Sequence, residues 1–278
     1  MRLLLCFVFL AFFPAISHAA PDADLWPDWQ AHDAQSTDVI DHSAWQAVLD
    51  RYLTVVEPGV TSFDYAAAKA EQSSGEGAVN AYIVAMVDLP ISQFNRDQQL
   101  AYWINLYNAQ TVKVVLDHYP VTSIRDIDIS PGLFSSGPWG KKLITVEGRT
   151  LSLDDIEHRI LRPIWNDPRI HYAVNCASVG CPALAVDAFQ ADRIDDQLDQ
   201  AATDFINHPR AIRPDGEGGF VLSSLYDWYR DDFGKRDADF ISHLLHFTGP
   251  KLAGMLGNGD EFDIAGYEYD WALNDTRP

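Results

Sequence analysis

Between Asn95 and His118 the chain carries a run that is apolar on nearly every side of a helix, and a helix of that kind has to be buried. Leu100, Trp103, Tyr107, Thr111 and Val114 or Val115 form one stripe at helical spacing, while Ala101, Ile104, Leu106 and Val112 fill the other faces. Asn95 or Asp97 supplies the capping side chain at its start. The rest of the fold must wrap this element.

The flanking patterns supply short elements to do so. Trp45, Val48, Leu49 and Leu53 recur at helical spacing behind Asp41 and Ser43, and residues 80–89 form a second helix that stops at Pro90. Residues 59–65 alternate weakly, as a strand or a loop. The alternation of residues 143–146 followed by Glu147-Gly148 predicts a hairpin. Ser152 and Asp155 form a capping-box pattern that opens a helix over 153–161, with Pro163 as its stop. Residues 170–176 read as a buried strand, because the apolar run is short and is bounded by Pro168 and by Ser178, Gly180 and Pro182. Helices are predicted over 194–207, 223–233 and 240–247. Tyr267, Tyr269 and Trp271 form an aromatic tail that packs on the body. No internal repeat or linker divides the chain, so residues 41–278 are expected to form a single α+β domain with a central buried helix and a small sheet.

The N-terminus has a different character. Arg2, an apolar stretch over 3–16 and the small-x-small pattern Ser17-His18-Ala19 make residues 1–19 a signal peptide. The stretch is shorter than the roughly 18 residues of a membrane span and contains Pro14. Residues 20–40, with Pro21, Trp26, Pro27 and Trp29 in no sustained period, read as an extended lead-in. No later segment resembles a span, so the expected location is periplasmic or secreted. Forty acidic against twenty basic side chains give a net charge of -20. Phosphate backbones are repelled by that field, which removes nucleic acid as a partner. A substrate or an envelope protein is the expected partner.

Three strings are distinctive: Ala101-Tyr102-Trp103-Ile104-Asn105-Leu106-Tyr107-Asn108-Ala109, Leu151-Ser152-Leu153-Asp154-Asp155-Ile156-Glu157-His158, and His171-Tyr172-Ala173-Val174-Asn175-Cys176-Ala177-Ser178-Val179-Gly180-Cys181-Pro182. With them the chain resembles the "domain of unknown function 547" family, and weaker matches extend over 60–66, 223–233 and Tyr269-Asp270-Trp271. The resemblance implies a motif set and no reaction.

Chemistry concentrates in residues 171–182. Cys176 and Cys181 are the only cysteines after the signal segment, and an even pair in an exported chain is most simply a disulfide. In a continuous strand their Cα atoms would be about 16 Å apart, so bridging requires the turn-forming residues 177–180 to fold back. The second reading makes Cys176 or Cys181 a nucleophile served by His158, His171 or His118. The likeness to papain- and transglutaminase-type enzymes is distant at most, because no cysteine starts the buried helix. The third reading is a metal held by Cys176, Cys181 and some of His158, His171 and Glu157, for which the spacing is only permissive. Glu157 and His158 form either a carboxylate-supported base or a local surface pair. Asn105 and Asn108, three apart on the buried helix, either hold backbone groups or line a polar pocket with Tyr107 or Tyr102. No phosphate-binding glycine motif or nucleophile elbow is present, and no cofactor is expected. The functional expectation is a hydrolase or acyl-transfer enzyme on a peptide or envelope substrate, against a non-catalytic binding or assembly module.

Overall fold

The computed structural model describes residues 21–73, 77–132, 136–257 and 262–276; the signal peptide expected over residues 1–19 lies outside them. The chain enters through a 3-10 turn, Pro27–Gln30, which buries Trp29 edge-on against Trp103 with ring centroids 5.1 Å apart. Order therefore begins well before Asp41. Helix α1 (Ser43–Tyr52) buries Trp45, Val48, Leu49 and Tyr52, and Leu53 leaves the helix to open the hairpin β1 (Leu53–Glu57) and β2 (Val60–Phe63). Helices α2 (Tyr65–Ser73) and α3 (Ala78–Val87) follow and pack beside the central element.

That element is α4 (Arg96–His118). Asn95 accepts a hydrogen bond from Gln98 N at its start, and residues 98–112 and 114–116 are buried without interruption. Its neighbours cover it on all sides, as its composition requires. The hairpin β3 (Ile144–Val146) and β4 (Arg149–Leu151) turns through Glu147 and Gly148, both at positive φ, the backbone that a tight two-residue connection needs.

The next helix departs from its sequence pattern. The capping box at Ser152 forms, with Asp155 N donating to Ser152 Oγ and Ser152 N to Asp155 Oδ2. Helix α5 (Leu153–Asp155) then widens into a π-helical turn, Ile156–Leu161, before α6 (Arg162–Trp165). Pro163 sits in the first turn of α6, so it does not stop the helix; the stop is Asn166 in the left-handed conformation. The lead-in explains why this is tolerated. Arg162 N bonds to Glu157 O, and the carbonyls of His158 and Arg159, which lose their usual helical donors, accept from Asp24 N and Trp26 N.

Residues 170–176 also correct the expectation. They form no strand; Ile170–Ala173 is a helical turn, α7, and the chain becomes extended only at Val174. Asp167 nucleates the turn by accepting from Arg169 N through its side chain and from Ile170 N through its carbonyl. An apolar run buried on all sides has no period to separate helix from strand.

Helix α8 (Ile194–Ile206) buries Ile194, Leu198, Ala202, Phe205 and Ile206 and turns its aspartates outward, where Asp195 and Asp199 pair with Arg169. The remaining chain builds a second core around Phe205, Tyr226 and Phe240. Strands β5 (Ile212–Pro214) and β6 (Phe220–Ser223) pair antiparallel, and β7 (Ile264–Glu268) joins β6 in parallel. The helix expected over 223–233 is confined to α9 (Leu225–Trp228), followed by α10 (Asp237–Phe247) and α11 (Pro250–Leu256). The architecture is a single α+β domain.

Candidate functional site

After α7, Asn175 fixes the bend that brings the cysteines together. Its side chain donates to Pro182 O at 2.7 Å and accepts from Ala177 N at 2.8 Å, and Ala177 is held at φ 58, a conformation that a non-glycine residue adopts only when its surroundings enforce it. The chain doubles back, so that Cys176 Sγ lies 3.0 Å from Cys181 Sγ and Cys176 N donates to Cys181 Sγ. The two thiols are free.

The C-terminal segment closes over this bend. Val179 N donates to Ala272 O, Gly180 N to Asp270 O and Asn274 N to Ala177 O. The approach is close enough that a Cβ at residue 180 would lie 2.7 Å from Asp270 N. This clasp carries Tyr269, whose hydroxyl is 3.0 Å from Cys176 Sγ and accepts from Ser178 Oγ at 3.1 Å; Ser178 Oγ is itself 3.2 Å from the sulfur. Trp228 and Trp271 pack on the Tyr269 ring at 4.8 and 4.6 Å.

The two sulfurs are thereby made unlike. Burial pushes the Cys176 thiol up, but hydrogen bonds from Cys181, Ser178 and Tyr269 outweigh it and bring it below its ordinary range, against the opposing charge of Glu157. Burial drives Cys181 well above that range, and its bond to Cys176 drives it further. Cys176 is partly exposed and Cys181 is buried.

Glu157, His158 and His171 meet in a second cluster under the π-helical turn, a distortion found often at functional sites. His171 Nε2 is 2.7 Å from Asp232 Oδ2, and its Nδ1, buried and without a hydrogen-bond partner, is 3.8 Å from Glu157 Oε1. Arg162 forms a fork on Asp232 through Nε and Nη2, at 2.6 and 3.1 Å, and donates through Nη1 to His158 Nδ1 at 2.9 Å. That fixes the His158 tautomer: Nδ1 accepts, and Nε2 carries the proton toward Asp154, 3.7 Å away. Tyr107 donates to Glu157 Oε2, and the Tyr229 ring lies 4.0 Å from the His171 ring. Burial alone would raise the Glu157 carboxyl, yet the neighbouring His158 and His171 rings and a hydrogen bond from Tyr229 hold it below its usual range. Asp232 is likewise held well below its range, because hydrogen bonds from His171 and Arg162 overcome its burial.

The structure thus gathers Cys176 with Cys181, and Glu157 with His158, His171 and Tyr107. It does not bring a histidine to sulfur: among the described residues none lies within hydrogen-bond reach of Cys176 or Cys181. Asn105 and Asn108 act as clamps. Asn105 exchanges two hydrogen bonds with the Phe189 backbone; Asn108 donates to Ala173 O and accepts from Asn175 N. Among the described residues no group of three or more His, Cys, Asp or Glu side chains could hold a metal ion, and no helix is long and apolar enough to cross a membrane. Sequence reasoning read Ser178 as a turn former and Tyr269 as packing, and passed over Arg162 and Asp232 altogether.

Residues 91–206 match the family described as "Protein of unknown function, DUF547". No match is found among curated proteins or among solved structures. The matched segment contributes both cysteines, Ser178, Glu157, His158, Arg162 and His171. Tyr269 and Asp232, which complete the two clusters, lie outside it.

The buried histidines set an acid sensitivity. His42, His158 and His243 have pKa values lowered to about 4 by burial, whereas burial, with help from Glu157 and Asp155, raises Asp154 to about 6. As pH falls from 6.5, the unfolded chain protonates these histidines and the folded chain does not, so stability is lost down to about pH 4. Asp154 acts in the opposite sense over part of that window and offsets about one histidine. With Asp154 and His243 discounted for part-exposure, the expected loss is about 2 kcal/mol per pH unit near pH 5. Thermal melts from pH 7 to 4 measure it, and a melting temperature constant over that range would contradict it.

Proposed function

We propose that this chain is an exported thiol–disulfide exchange protein in which Cys176 attacks and Cys181 resolves. The supporting observation is the asymmetry of two sulfurs 3.0 Å apart: one partly exposed with a lowered pKa, the other buried with a raised one. Exchange requires that division, since the accessible thiolate must attack and the second thiol must be close enough to release the partner. The hydrolase or acyl-transfer reading would use the same nucleophile, but it needs a base at sulfur and finds only hydroxyls there. The N-terminal signal pattern and the acidic surface fit action on other exported proteins in an oxidising compartment.

The chemistry balances without a cofactor. The Cys176 thiolate attacks a substrate disulfide, and one substrate sulfur leaves with the bonding pair and takes a proton. Cys181, deprotonated, then attacks Cys176 Sγ, and the second substrate sulfur leaves in the same way. The substrate disulfide is reduced to two thiols and the protein pair is oxidised, the sulfurs closing from 3.0 Å to about 2.05 Å. The reverse direction oxidises a substrate dithiol.

Protein equilibrated in glutathione or dithiothreitol redox buffers, acid-trapped, alkylated and weighed intact gives the test. The expected midpoint lies within about -120 to -270 mV, the span of exchange catalysts. Cys181→Ser should accumulate a one-to-one mixed disulfide with a partner, and Cys176→Ser should form none. A midpoint below about -300 mV with no mixed disulfide would mean a structural bond in a binding or assembly module.

A further inference from the structure

The partly exposed sulfur of Cys176 is bordered by rings. Tyr269, whose hydroxyl is 3.0 Å from Cys176 Sγ, is flanked by Trp228 and Trp271, and these stack on each other at 5.5 Å and 29°. Trp139 meets Trp271 edge-on at 5.8 Å. All four rings are only half-buried, and Val179, in the bend between the cysteines, is 41% exposed. A contiguous apolar set beside an accessible sulfur marks an interaction site, where the same residues scattered singly would not.

The rings are not equivalent. Trp271 is hemmed in by Trp139 and by the Arg125 guanidinium, 5.2 Å from its ring centre. Trp228 ends α9, whose Leu225 and Tyr226 are sunk in the second core and whose start is tied down by Ser224 N donating to Glu268 O. Among the described residues its ring contacts are Tyr269 and Trp271. It is therefore a fixed ring with surface left to offer, one ring removed from the sulfur. The exposed carboxylates of Asp227 and Asp270 adjoin these rings in the chain, and they disfavour a small anionic disulfide there while leaving an aromatic side chain unopposed.

Any disulfide that Cys176 attacks must come up against this border. Residues of an extended chain follow one another at about 3.3 Å, so a side chain one or two positions from the substrate's cysteine reaches the next ring. We infer that Trp228 is a specificity-determining residue, and that the substrate is an extended segment of another protein with an aromatic side chain close to its cysteine, stacked on Trp228 during attack. The inference rests on the exchange reading and adds to it the class of substrate.

Reduced protein is mixed with the symmetrical disulfides of three capped tripeptides, Ala-Cys-Ala, Phe-Cys-Ala and Ala-Cys-Phe, and with glutathione disulfide. Samples are quenched in acid, and the released thiol is measured by chromatography. At least one phenylalanine peptide should react about three- to tenfold faster than the alanine peptide, as for the gain of one aromatic pair, and glutathione disulfide should be no faster than the alanine peptide. In Trp228→Ala the ratio of phenylalanine to alanine peptide should fall to within about twofold of unity, and Trp228→Phe should restore most of it. A ratio of two rates on one protein is unmoved by general damage to the thiol bend, so it separates recognition from packing on Tyr269. Should Trp228→Ala not fold, Trp228→Leu takes its place with the same loss of ratio. A wild type without preference for either phenylalanine peptide, a preference that survives removal of the ring, or glutathione disulfide as the fastest substrate would overturn the inference. Wild-type protein that reduces none of the four disulfides would refute the exchange reading itself, and this inference with it.

Discussion

Asn108→Leu is expected to lower the unfolding free energy by about 2–4 kcal/mol. Leucine nearly matches the shape of asparagine but leaves Ala173 O and Asn175 N, both in a closed interior, without partners. Each orphaned group costs roughly 1–3 kcal/mol. The loss should also reach the thiol bend, since Asn175 is the residue that ties Pro182 O to Ala177 N. Asn105→Leu should cost a similar amount by releasing both backbone groups of Phe189, and without the local effect on the cysteines. Urea unfolding of the two variants provides the measurement. A loss under about 0.5 kcal/mol, the scale of a surface change, would show that neither amide is a clamp.

Arg162→Met should be worse, by about 3–5 kcal/mol, the range for breaking a buried ion pair from one side. The substitution removes the fork on Asp232, the donor to His158 Nδ1, a hydrogen bond to Pro21 O and a cation over the Tyr229 ring at 4.9 Å. Most of the loss arises because Asp232 is left charged with only His171 beside it. Adding Asp232→Asn should therefore restore a substantial part of it, and the double-mutant cycle should give a coupling well outside additivity. The wild-type pair also predicts a sign in acid: a carboxyl held below its ordinary pKa stabilises the fold above about pH 4, and that contribution is lost as pH falls further. Additive single and double variants would remove the ion pair from any account of this cluster.

What could be read from the sequence was what local spacing encodes. The central helix, its cap at Asn95 or Asp97, the Glu147-Gly148 hairpin and the Ser152 capping box are all properties of a few consecutive residues, and each formed where expected, the cap at Asn95. The π-helical turn was not legible, because the donors that permit it, Asp24 N and Trp26 N, come from more than a hundred residues upstream. Residues 170–176 were read as strand, although 170–173 form a helical turn, because a run buried on every side shows no period. At the candidate site, Cys176, Cys181, Glu157, His158 and His171 announce themselves by chemical type. Tyr269 does not, because its role depends on a fold-back that places it 93 residues from Cys176 in sequence and 3.0 Å away in space. The asparagines were recognised as buried amides, but only the loops at 173–175 and 189, which come to meet them, decide that they hold backbone.

The clasp over the cysteine bend also has a consequence for how the molecule is made. A chain that emerges N-terminus first presents Cys176 and Cys181 long before Tyr269 and Asp270 exist to cover them. Until then the thiols lack both the hydroxyl that favours the Cys176 thiolate and the backbone zipper that holds residues 177–180, and Cys176 should ionise as an ordinary cysteine does, near pH 8.5. Its reactivity is expected to be switched on by completion of the fold, so that a nascent chain is less prone to couple to its neighbours than the finished protein is.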